Sequence, residues 1–356
     1  MTTFLAPYRV VPGFEALSHA LAGRAPDLAE LNAPFTPLER AAHRLLPRLA
    51  TLRPGIGETP LVPVPSRAGR GRVWLKTESA NASGTVKSRT AYALVCAAVA
   101  RAGTPAVRLV EYSGGSLAVA LADLCGHLGI DLHLVVPYGA PDRLVDALRR
   151  QGALVSAGRE GAGFLGAMDE ALRVSAREDR DLLLQHCAAP AVALHREHTG
   201  AEIVRRLRGH GVEPAVLAAS VGTGGSLAGV AMALTQAWPH CRHLGVFPAE
   251  AVHGDLRAPD GTRRMNGTGG LGHGLRQPLL AAFPEGFLQY TTVAYPQALH
   301  AMRLLRREHG IAVSSSAAGA WLSASEEIDQ GPPGRHAVAV VAGRGTIEEW
   351  EHAAEN

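Results

Sequence analysis

The sequence predicts an α/β protein in two lobes, built from parallel sheets flanked by helices. Three observations carry that reading. From residue 59 onward, short apolar runs alternate with longer stretches of helical periodicity. Glycine- and serine-rich loops follow several of those runs, at the strand ends where open parallel sheets take ligands. The chain has 356 residues, 47% of them hydrophobic, more than one small core requires.

Residues 1–56 precede that rhythm. Phe14, Leu17 and Leu21 repeat at helical spacing. Thr36-Pro37-Leu38-Glu39 reads as an N-cap, a proline at the first helical position and the glutamate of a capping box. Leu38, Leu45 and Leu49 can line one face of the helix that follows, with a kink expected at Pro47. This N-terminal helical segment is expected to lie over the main body or over a second subunit. Strands are expected over 73–76, 107–111, 132–137, 182–185, 216–220, 244–247 and 337–341. Helices are expected between them, among others over 90–101, 117–128 and 202–208.

Composition narrows the function. The net charge of +3, from 35 basic and 32 acidic residues, is too small to imply nucleic acid or a membrane as partner. No apolar run reaches the length of a membrane span, and the first ten residues do not read as a signal peptide. Cys96, Cys125, Cys187 and Cys241 form no paired motif, so neither a metal site nor a disulfide framework is expected, and the setting is read as cytoplasmic. Cys96 and Cys125 fall on apolar helix faces and read as core. Lys76 and Lys87 are the only lysines, all other basic residues being arginine. Arginine stays protonated, so imine chemistry on a side chain has just two candidates.

Three loops carry the polar chemistry. Asn81-Ala82-Ser83-Gly84-Thr85-Val86-Lys87-Ser88-Arg89 places Lys87 in the first turn of a helix, where the dipole lowers an amine's pKa. A neutral amine is what a Schiff-base lysine needs, although an isolated lysine is more often simply solvated. Ser113-Gly114-Gly115-Ser116 opens another helix and offers N–H groups and hydroxyls to a carboxylate. Serines there can equally cap their own helix. Gly222-Thr223-Gly224-Gly225-Ser226 follows a buried strand and reads as a phosphate cup. It is not a dinucleotide fingerprint, because Leu227 stands where the third glycine belongs.

In order along residues 59–343, these segments resemble the fold-type II pyridoxal-phosphate enzymes of the cysteine synthase and cystathionine β-synthase family, whose fold is shared with the tryptophan synthase β chain. Thr59-Pro60-Leu61-Val62, Leu75-Lys76-Thr77-Glu78, Asn81 and the Lys87 loop are similar to its opening. Gln185, His195 and Thr199-Gly200-Ala201-Glu202-Ile203 follow, then the glycine cup, Phe247-Pro248-Ala249-Glu250 and Val313-Ser314-Ser315. The resemblance implies that Lys87 carries pyridoxal 5'-phosphate and then acts as the base, and that Gly222, Thr223, Gly224, Gly225 and Ser226 hold the phosphate. It further implies that Ser315, with Ser314 the near-equal choice, meets the pyridine nitrogen. Ser113, Gly114, Gly115, Ser116 and Leu117, helped by Gln185, would bind the substrate carboxylate.

Two departures stand out. Ser116 occupies the position of the asparagine that meets the cofactor's ring oxygen, and Leu117 that of a threonine. The implied reaction is β-replacement on an O-activated L-serine, acetylated or phosphorylated, through an aminoacrylate, giving cysteine or another β-substituted alanine. A serine or threonine dehydratase and a catalytically silent binding homologue are the alternatives, with a nicotinamide oxidoreductase behind them. His273, in the 267–274 loop, is a candidate contact for the second substrate, against the commoner reading of a surface histidine. The implied partners are a small amino acid, a small nucleophile and a second copy of the chain. The implied division is 1–56 as the extension, 84–188 as a smaller mobile lobe, 57–83 with 189–345 as the larger lobe, and 346–356 as a tail.

Overall fold

A computed structural model describes residues 13–250, 263–268 and 277–355. In chain order its strands are β1 (Leu61–Pro65), β2 (Arg72–Thr77), β3 (Arg108–Tyr112), β4 (Asp131–Val136) and β5 (Leu154–Ala157). They continue with β6 (Asp181–Leu182), β7 (Pro214–Ser220), β8 (Arg242–Pro248), β9 (Gln289–Val293) and β10 (His336–Val341). One sheet runs β1-β2-β10-β7-β8-β9 and the other β5-β4-β3-β6. Every pairing is parallel except β1 with β2.

The three strands that the apolar runs do not predict, β1, β5 and β9, all lie at sheet edges. An edge strand buries one flank only and can carry proline or polar residues. β1 accordingly holds Pro63 and Pro65, and β9 reads QYTTV with only Val293 buried. The run expected over 182–185 shortens to two residues, because Leu184 turns to a left-handed φ of 50°.

The N-terminal segment is a helical layer, but its details differ from the sequence reading. The second long helix begins at Phe35, one residue before Thr36, and no side chain of its own caps it. Glu197 does so from across the molecule, accepting from Phe35 N (2.6 Å), Thr36 N (3.0 Å) and Thr36 Oγ1 (2.7 Å). A carboxylate at that end satisfies free N–H groups and complements the helix dipole. At Pro47 the chain does not kink but breaks, the helix ending at Leu45 and a short one resuming over Arg48–Leu52. Phe35, Ala42 and Leu49 join the apolar cluster around Tyr92. Leu17 and Leu21 join a different cluster, with Tyr112 of β3 and Met168. The C-terminal stretch carries helix Ile347–Glu355, which buries Glu349, His352 and Ala353.

Helix Lys87–Ala102 is buried on nearly all sides from Ser88 to Val99, as expected of a helix apolar around its circumference. At its start lies a buried ion cluster. Arg89 reaches Glu78 (2.6 Å and 3.0 Å) and Glu202 (2.7 Å and 2.8 Å). Lys76 Nζ donates to Glu202 (2.5 Å) and to Thr59 O (2.7 Å). Lys76 and Arg89 are fully buried. The cluster ties β2 to two helices and fixes the first turn in which Lys87 sits. No described helix is long and apolar enough to cross a membrane.

Candidate active site

A cavity of about 570 Å³ opens between the two sheets, within the size range of small-molecule sites. Lys87, Gly114, Gly115, Ser116, Ser314 and the whole 222–226 loop line it. Loops far apart in sequence thus meet at one space.

Lys87 is the first residue of its helix. The loop before it is latched at both ends. Ala82 N donates to Gly55 O (3.0 Å), Gly57 N to Asn81 Oδ1 (2.9 Å) and Val86 N to Ala342 O (2.8 Å). Burial lowers the amine's pKa from 10.5 to about 8, with Glu111 opposing the shift. Desolvation, rather than the helix dipole inferred from position, is thus the leading cause. Burial likewise pushes Glu111 up to about 8, against hydrogen bonds from Tyr112 N and Gln185 N. The neutral amine is the nucleophile toward an aldehyde. Uptake of pyridoxal 5'-phosphate by cofactor-free protein, followed by absorbance, is therefore expected to speed up with pH to a midpoint near about 8. A midpoint at the ordinary amine value would contradict this environment.

The glycine cup is tight. A Cβ at Gly222 would lie 2.6 Å from Gly267 O, and one at Gly224 would lie 2.6 Å from Leu280 Cγ, at a φ of +89°. Glycine is required there on both grounds. Helix Gly225–Ala237 begins at the cup, so its first-turn residues, Ser226 among them, line the cavity as an anion site. Gly224→Ala is expected to weaken binding of a phosphorylated ligand by about tenfold or more, read by titrating the protein with pyridoxal 5'-phosphate. An amine and a glycine cup lining one cavity fit a phosphorylated aldehyde.

Other implied residues are placed differently. Ser314 and Ser316 line the cavity, whereas Ser315 does not. Its hydroxyl is fully buried, donates to Glu349 and accepts from Asn266 N (3.0 Å). Of the two serine choices, only Ser314 is in the wall. Ser113 is also outside it, accepting from Ala118 N (3.2 Å) and Gly115 N (3.3 Å) as the cap of its own helix. Leu117 is packed in the core, and Gln185 Nε2 donates to Tyr112 O (2.9 Å). Of residues 113–117, only Gly114, Gly115 and Ser116 therefore line the cavity. His273 lies outside the described residues.

Four charged wall residues escaped the sequence reading: Arg143, Arg344, Glu348 and Glu349. Glu349 had a signal, since Thr346-x-x-Glu349 is a capping box. Thr346 N donates to Glu349 Oε2 (2.8 Å) and Glu349 N to Thr346 Oγ1 (3.2 Å). The exposed arginines had none.

A family model described as pyridoxal-phosphate dependent enzyme matches residues 52–343. The chain is 34% identical over 291 residues to the N-(2-amino-2-carboxyethyl)-L-glutamate synthase of Cupriavidus metallidurans, covering 79% of this chain and 82% of that one. It is 35% identical over 178 residues to cysteine synthase A of Escherichia coli, covering 49% and 54%. Among solved structures, an O-ureido-L-serine synthase superposes with a TM-score of 0.74 at 23% identity, over 84% of this chain and 92% of that one. The cysteine synthase of Entamoeba histolytica gives 0.71 at 20% identity, over 84% and 90%. At those identities the structural likeness shows the fold.

Proposed function

Because the chain belongs to the pyridoxal-phosphate dependent enzymes of the cysteine synthase type, we propose that it performs β-replacement on an O-activated L-serine, with the amine of an acidic amino acid as the nucleophile. The observation that carries the cofactor chemistry is the meeting of Lys87 with the 222–226 cup in one cavity; the likeness to synthases supports replacement as the reaction type. Gly222, Thr223, Gly224, Gly225 and Ser226 would hold the phosphate, Lys87 the aldehyde carbon, and Ser314 the ring nitrogen. When bound, the cofactor supplies an electron sink that makes the α-proton of an amino acid removable.

The chain's own groups account for the rest. Gly115 and Ser116, at the N-terminus of helix Ser116–Leu128, would orient the donor's carboxylate. Lys87 Nζ, released from the aldehyde carbon by the donor's amine, would take the α-proton. The β-carbon–oxygen bond breaks, and acetate or phosphate leaves with the bonding pair. The incoming amine bonds to the β-carbon and loses a proton, and the α-carbon regains one from Lys87.

The acidic nucleophile rests on two facts. The relative matched over most of its length is named for a product in which a 2-amino-2-carboxyethyl group sits on glutamate. Arg143 and Arg344 are exposed in the cavity wall, and neither guanidinium pairs with a carboxylate among the described residues. Against them stands one exposed wall carboxylate, Glu348. Two free guanidiniums suit a dicarboxylate.

The test mixes O-acetylserine or O-phosphoserine with L-glutamate, with sulfide or with neither, and identifies products by mass spectrometry. An adduct of the serine skeleton on the glutamate nitrogen supports the full reading. Cysteine alone would retain β-replacement and reject the acidic nucleophile. Pyruvate as the sole product in every mixture would reject β-replacement itself.

A further inference from the structure

One continuous helical stretch runs from Ala189 to Gly209, but its middle, His195–Gly200, is wound as a π-helix. Such a turn inserts a residue and re-aims the side chains on either flank. On one flank, Glu197 holds the start of helix Phe35–Leu45 by three hydrogen bonds. Beside it His198 Nδ1 meets Arg53 Nη2 at 2.6 Å, and the Phe35 ring stands edge-on to the imidazole. On the other flank, His195 and Thr199 are fully buried. His195 Nδ1 lies 2.9 Å from Thr199 Oγ1, and its Nε2 lies 3.1 Å from Ser226 Oγ in the cup.

The direction of these bonds is set by the imidazole tautomer. Burial holds the imidazole neutral, so it carries one N–H. In the tautomer with its N–H on Nε2, His195 Nδ1 accepts from the Thr199 hydroxyl. Ser226 Oγ therefore accepts from His195, and its own hydrogen is left to point into the cavity. The backbone holds this arrangement in place. A Cβ at Gly229 would fall 2.6 Å from His195 Cβ, and one at Gly200 would fall 2.4 Å from Ala233 Cβ. The π-turn and helix Gly225–Ala237 thus pack without room to slide.

We propose that the N-terminal segment is a working part of the phosphate site, with Glu197 and His195 as positioning residues that carry its hold through the π-turn to the Ser226 hydroxyl. None of the segment's described residues lines the cavity. It acts by fixing one flank of the turn, so that the other presents Nε2 to Ser226 in a single orientation. A phosphate then meets a preset donor instead of a hydroxyl free to rotate.

The test compares pyridoxal 5'-phosphate with pyridoxal, which shares the aldehyde and ring but lacks the phosphate, titrated into the full-length cofactor-free protein by visible absorbance. Glu197→Ala and His195→Asn are each expected to lower the preference for the phosphorylated ligand about tenfold, with pyridoxal affinity within about twofold of wild type. Glu197→Gln, which keeps a carbonyl acceptor, should recover part of the preference. Thr36→Ala removes one of the three donors, the Oγ1 hydroxyl, and should move the ratio more gently in the same direction if Glu197→Ala does not fold. In a Ser226→Ala background, Glu197→Ala should no longer change the ratio. Equal weakening of both ligands would overturn the proposal, showing general loosening of the fold. An unchanged ratio, or a full further loss in the Ser226→Ala background, would overturn it as well.

Discussion

Lys87→Ala is expected to lower turnover by about a thousandfold or more, because one amine serves both as the covalent anchor and as the α-proton base. Lys76 cannot replace it: that ammonium is buried and committed to Glu202 and Thr59. The cup does not depend on Lys87, so the variant should still bind the phosphorylated cofactor, non-covalently. Borohydride treatment followed by peptide mass spectrometry separates the two functions. The wild type should acquire a reduced adduct on the peptide containing Lys87, and the variant should acquire none. Covalent capture persisting at another residue would assign the anchor elsewhere.

The second large effect concerns stability. Glu202→Gln leaves Lys76 with only the more distant Glu78, 4.0 Å away, and strips half of the Arg89 fork of its counter-charge; losing one partner of a buried pair costs about 3–5 kcal/mol. The denaturant midpoint at neutral pH should fall accordingly. The same site predicts a pH dependence. Burial alone would raise the Glu202 carboxyl, but hydrogen bonds and charge from Arg89, with charge from Lys76, outweigh it and bring the pKa from 4.5 to about 2. A carboxylate depressed in the folded state contributes its full stabilisation above about 4.5 and loses it as pH falls toward about 2. The stability gap between wild type and variant should therefore be constant from neutral pH down to that upper bound and narrow below it. A gap that widens in acid would contradict the assignment.

How far the sequence could be read depended on whether a feature leaves a local pattern. Interior strands such as β7 and β10 are apolar runs and were legible, whereas the edge strands β1, β5 and β9 bury too little to stand out. The Lys87 loop and the glycine cup were legible because each is a contiguous backbone device whose residue types are dictated by helix N-termini and close approach. Ser113, Leu117, Gln185 and Ser315 were assigned by likeness to a motif, and in this structure each spends its polar or apolar capacity on its own scaffold. Glu197 as the cap of helix Phe35–Leu45 was beyond reach, since cap and helix are separated by about 160 residues of chain and nothing in a local window joins them. Thr36-Pro37-Leu38-Glu39 offered a complete local solution that the tertiary contact displaced.

The scarcity of lysine has a practical consequence. With Lys76 sealed in its ion cluster and every other basic side chain an arginine, the chain offers amine-directed reagents one side-chain target, and it lies inside the cavity. A reagent that would scatter over the surface of an ordinary protein becomes, apart from the α-amino group, an address for a single internal atom. A dye, a spin label or an isotope delivered this way would sit beside the glycine cup without any engineered cysteine, and its signal would report directly on what enters and leaves that space.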